Sequence, residues 1–120
     1  MKRISTFIAA ICLCVSPLLA QEIFNASFQN EDEFKAWTVI DSNDDGKTWQ
    51  YDSSTSPSVF YSYHSTNSAN DWLISPAITS TQSGTIAVSF TVKGSSYGEK
   101  MEVFSGNAAT VDAMTYRICD

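Results

Sequence analysis

Oxygen-bearing side chains crowd one short stretch of this chain. Asp41-Ser42-Asn43-Asp44-Asp45-Gly46-Lys47 runs on to a further carboxylate at Asp52, the twelfth residue from its start. Oxygens at alternate positions, a glycine for the sharp bend and a carboxylate at position twelve are what a calcium loop requires. On that reading Asp41, Asn43 and Asp45 supply side-chain oxygens, Lys47 its carbonyl and Asp52 the closing carboxylate. Asp41, Asp44 and Asp45 repel one another, and a divalent cation relieves that repulsion. Two features depart from the helix–loop–helix form of such a site: position twelve is Asp rather than Glu, and the flanks alternate as strands do. The same residues also make a plain polar turn, with Asp and Asn capping backbone amides and Gly46 at positive φ. Both readings stand at this point.

Other chemistry is sparse. His64 is the only histidine, no G-x-S-x-G elbow is present, and Cys119 lies in a tail without clear periodicity. A general base at His64 would find serines and acids nearby by composition alone, so the residue reads as a polar strand end. One histidine and one cysteine do not make a zinc site. The chain is therefore read as non-catalytic. Phe60, Tyr61 and Tyr63 suggest a stacking platform for sugar rings, with Tyr61 and Tyr63 on one side of an alternating segment; core or cross-strand packing is the plainer use of such residues.

The elements that position these residues are short and mostly of period two. Asn70-Asp71-Trp72-Leu73-Ile74-Ser75-Pro76-Ala77-Ile78 reads as a core strand with both faces buried, ended at Ser75 because Pro76 cannot donate to a ladder. Ile23 to Phe28 reads as a first strand. Asn30 to Trp37 begins with a capping residue followed by acids and reads as one or two helical turns. Trp37 to Ile40, Trp49 to Tyr51 and Val59 to His64 alternate as strands. Thr85 to Val92 is the clearest strand, with Ile86, Val88, Phe90 and Val92 on one face. Lys100 to Ser105 is another strand, and Gly106 to Asp120 is compatible with a short helix or a further strand. Regular strands without helical crossovers predict an all-β antiparallel sandwich. With no closing strand evident after Ser105, the sandwich reads as incomplete at its C-terminus, the N-terminal part of a longer protein.

Length and charge bound the possibilities further. Met1-Lys2-Arg3, an uncharged apolar run from Ile4 to Val15, and the small residue Ala20 form a secretory signal peptide over residues 1–20, cleaved before Gln21. The apolar run is too short to span a bilayer comfortably, so no membrane insertion is expected after cleavage. Residues 21–120 form one modest domain carrying five Lys/Arg against thirteen Asp/Glu, a net charge of −8. Such an acidic domain is unsuited to nucleic acid or anionic membranes. Cys12 and Cys14 leave with the signal peptide, and Cys119 alone cannot form an internal disulfide.

Taken together, Phe28, Phe34, Trp37-Thr38-Val39-Ile40-Asp41, Asp45-Gly46, Trp49, Asn70 to Ile78 and Val88-Ser89-Phe90 resemble the cleaved-adhesin, or choice-of-anchor J, family of secreted bacterial β-sandwich domains. The resemblance covers most of Ile23 to Ser105. It implies a jelly-roll sandwich, structural calcium near the acidic segments, with Asp41 and Asp45 in the acidic loop, and binding of a host or matrix protein or a glycan. A secreted or cell-surface adhesin-like module is the first functional expectation. A carbohydrate-binding module of a secreted multidomain protein or protease is the alternative.

Overall fold

The computed structural model describes residues 21–62, 65–81, 83–94 and 100–119. Within them lie one helix, α1 (Glu31–Lys35), and six strands: β1 (Thr38–Asp41), β2 (Trp49–Asp52), β3 (Ser58–Tyr61), β4 (Asp71–Ile74), β5 (Val103–Ser105) and β6 (Tyr116–Cys119). The strands pair antiparallel in three two-stranded sheets, β1 with β4, β2 with β3 and β5 with β6. The described elements are thus mostly strands, consistent with the all-β class expected.

The first element is built by local capping. Asn30 Oδ1 accepts from Glu33 N at 2.9 Å, which supplies an acceptor for one of the orphan amides at the start of α1. Glu33 reaches back in turn, accepting from Ser27 N at 2.7 Å and Gln29 N at 3.1 Å. Those two bonds clamp Phe28, which has φ +51°, between its neighbours. Its ring lies 5.1 Å from Trp37, which also meets Phe24 at 6.0 Å. Residues 21–29 therefore form a clamped arm without a ladder among the described residues, where Ile23 to Phe28 reads as a first strand in the sequence. The Glu33 carboxylate takes amides that a ladder would use.

The β1–β4 ladder is the centre of the described structure. Its register sets Thr38 opposite Ile74, Val39 opposite Leu73, Ile40 opposite Trp72 and Asp41 opposite Asp71. β4 ends at Ile74, just ahead of the Ser75-Pro76 break read from the sequence. Ile74, 6% exposed, is the buried hydrophobic residue of the described core. Because side chains alternate along a strand, Ile40, Trp72 and Ile74 share one face while Asp41, Asp71 and Leu73 share the other. Trp72 meets Phe104 of β5 at 5.3 Å on the first face. Trp49 of β2 donates from Nε1 to the Asp71 backbone carbonyl at 3.3 Å. The helix joins through Phe34, stacked on Tyr51 of β2 at 6.2 Å.

Two expectations about the second half change. Thr85 to Val92, the clearest alternation in the chain, has no ladder among the described residues. Ile86, Val88, Phe90 and Val92 are 60%, 57%, 51% and 57% exposed. Alternation reports which side chains share a face, whereas a ladder also needs a partner strand in reach. Conversely, the tail beyond Gly106 does contain a terminal strand. A single 3-10 turn at Val111–Ala113 returns the chain so that β6 pairs with β5, with a register shift at Val103/Phe104. That turn passes so close to Gly106 that a Cβ there would collide with the Ala113 carbonyl. Gly106→Ala is accordingly expected to cost about 1–3 kcal/mol, the usual range for forced overpacking. Urea denaturation checks it, and an unchanged midpoint would mean that the turn is free to move aside.

Candidate functional site

The acidic segment leaves β1 at Asp41 and folds into a turn held by its own carboxylates. Asp41 Oδ1 accepts from Asp45 N at 3.2 Å, and Oδ2 accepts from Gly46 N at 2.9 Å. Asp45 Oδ1 accepts from Lys47 N at 2.8 Å. Asn43 donates to Asp45 Oδ2 at 3.1 Å and to the Ser68 carbonyl at 2.9 Å, while Asn67 donates to Asp45 Oδ2 at 3.3 Å. The turn is thereby tied to the loop leading into β4, which Ser42 N reinforces by donating to the Asn70 carbonyl. Gly46 at φ +73° supplies the bend that the spacing called for, and Asp44 sits at φ +55°, a region tolerated by Asp better than by most residues.

Asp41, Asn43, Asp45 and Lys47 are thus joined by hydrogen bonds within one turn, Lys47 through its amide N. Asp52 follows a different course. It lies at the end of β2 opposite Ser58, and its carboxylate accepts from Ser54 N at 2.9 Å and Ser54 Oγ at 3.0 Å. The twelve-residue spacing does not carry Asp52 to the turn because residues 49–52 are extended. A strand rises about 3.3 Å per residue and moves the carboxylate away from the bend. Among the described residues no group of three or more His, Cys, Asp and Glu is gathered closely enough to hold a metal ion.

The residue that the spacing missed is Asp71. Antiparallel pairing sets it directly opposite Asp41, and like charges in that position are unfavourable unless something neutralises them. Asp71 Oδ2 accepts from Asn70 N at 3.2 Å, but Oδ1 is buried without a hydrogen-bond partner. Thr48 Oγ1 and the Tyr61 hydroxyl are buried and unpaired in the same sense. Tyr61 lies beside Asp71 without a hydrogen bond of good geometry, and its ring meets Trp49 edge-on at 6.0 Å. The signal in the sequence was the Asp71-Trp72 step itself. Pairing a carboxylate with Asp41, however, needs the β1–β4 register, which local pattern does not encode.

This surrounding acidity marks the phenol. Burial first, then Asp71 and the more distant Asp45 and Asp41, pushes Tyr61 up to about 12 from the ordinary 10.0. The folded chain holds this proton more tightly than the unfolded chain. The associated stability is full below pH 10 and is lost as pH rises toward 12. Tyr61→Phe is expected to flatten the fall of stability across that interval, measured by denaturation at a series of pH values. An identical fall in the variant would place the titrating group elsewhere.

Other expected site residues have simpler surroundings. Tyr61 is half-buried and packed on Trp49, while Phe60, on the opposite face of β3, is 39% exposed. Tyr63 and His64 lie outside the described residues. Cys119 is an exposed free thiol on β6. An open gap of ≈ 3020 Å³ runs between the arm, β4, segment 83–92 and β5. It is several times larger than the roughly 300–1,000 Å³ of small-molecule sites, so it is open space beside these segments rather than a ligand site. Among the described residues no helix is long and apolar enough to cross a membrane. No family model, curated protein or solved structure matches this chain.

Proposed function

We propose that this chain is a secreted or cell-surface binding module of the cleaved-adhesin type, stabilised by calcium and without catalytic activity. The observation that carries the reading is the acidic turn at the end of the β1–β4 ladder. There Asp41 and Asp45 cap the backbone while Asp71 faces Asp41 with an oxygen buried and unpaired. A carboxylate oxygen left in that state is costly unless a cation, or the hydroxyl of the neighbouring Tyr61, satisfies it. Asp41, Asn43 and Asp45 would hold the ion with the Lys47 carbonyl, and because Asp71 does not stand within one metal-holding group with Asp41 and Asp45, it would have to close in on the turn to take the place of Asp52. The ion would neutralise opposed charges and lock β1 to β4, a structural role rather than a chemical one.

The finer fold proposed here is a jelly-roll-like sandwich in which segment 85–92 contributes an inner strand. Its support is the period-two placement of Ile86, Val88, Phe90 and Val92, which suits a face packed against a second sheet. The N-terminal leader and the acidity of the chain support export and a protein or glycan partner.

The test is retention of the exported, purified protein on immobilised matrix proteins and on a glycan panel, in calcium and in chelator. Retention on protein that requires calcium is the expected result. Retention on glycans, lost in Tyr61→Ala, would select the carbohydrate-binding alternative. Absence of retention on either surface would sink the binding-module reading.

A further inference from the structure

We draw no further inference here: the strongest candidate, the exposed apolar face formed by Ile86, Val88, Phe90 and Val92 along segment 85–92, carries nothing because nothing in the structure shows what covers it.

Discussion

Asp41→Ala is expected to lower the melting temperature in chelator and to abolish any rise on adding calcium. Two amides lose their acceptor, Asp45 N and Gly46 N, and the turn loses its tie to β1. Loss of a capping side chain costs about 0.5–2 kcal/mol, and relief of repulsion against Asp71 returns part of it. The larger effect is in calcium. An ion that binds only the native state at a hundred times its Kd contributes about 2.7 kcal/mol, all of which the variant forfeits. For a domain of this size each kcal/mol moves Tm by roughly 4–8 °C, so the two proteins should separate by more than ten degrees in calcium.

Asp71→Asn gives the sharper comparison. It leaves the turn bonds of Asp41 untouched, removes the opposed charge and offers Tyr61 an amide donor. Stability in chelator should hold or improve while the calcium response falls. A full calcium response in Asp71→Asn, together with its loss in Asp41→Ala, would remove Asp71 from the ligand set. Indifference of the parent protein to calcium would reduce the segment to a self-capped turn.

Ile74→Ala should be the most damaging single truncation among the described residues. Ile74 is the buried hydrophobic residue at the end of β4, opposite Thr38 and on the face that carries Ile40 and Trp72. Removing three carbons from a buried isoleucine costs about 2–5 kcal/mol, part transfer and part cavity. Stability of a domain this small is about 5–15 kcal/mol, so the loss approaches the whole of it at the lower bound. Ile74→Val should cost about 0.5–1.5 kcal/mol and keep the protein measurable if the alanine variant fails to fold.

The same experiment run at Ile86 addresses the sandwich. Ile86 is 60% exposed, and truncation of an exposed side chain stays within about 0.5 kcal/mol. A strand packed inside a sandwich would instead lose 2 kcal/mol or more, as Ile74 does. The proposed sandwich expects the larger loss. A value within the smaller range would take segment 85–92 out of the core and the sandwich with it.

What the amino-acid sequence determined by itself is local, because its causes lie within a few residues. Asn30 caps a helix that starts at the next residue, and Pro76 limits β4 because it lacks an amide proton. Asp41-x-Asn43-x-Asp45-Gly46 makes a tight oxygen-rich turn because short carboxylates reach amides two to five residues ahead. The strands at β1, β2, β3 and β5 follow alternation in the same way, within a residue or two at most ends. Tertiary structure decided whatever depends on distant pairing. Asp71 meets Asp41 across thirty residues through the β1–β4 register, and the half-buried Tyr61, paired with Trp49 in the β2–β3 hairpin, comes to lie beside Asp71. Asp52 is carried away from the turn by an extended β2, although counting along the chain put it at a ligand position. Residues 85–92 alternate as well as any strand here and have no ladder among the described residues, while the less regular 116–119 acquires one from β5. Alternation fixes which side chains share a face; the geometry that brings two segments side by side decides whether that face belongs to a sheet.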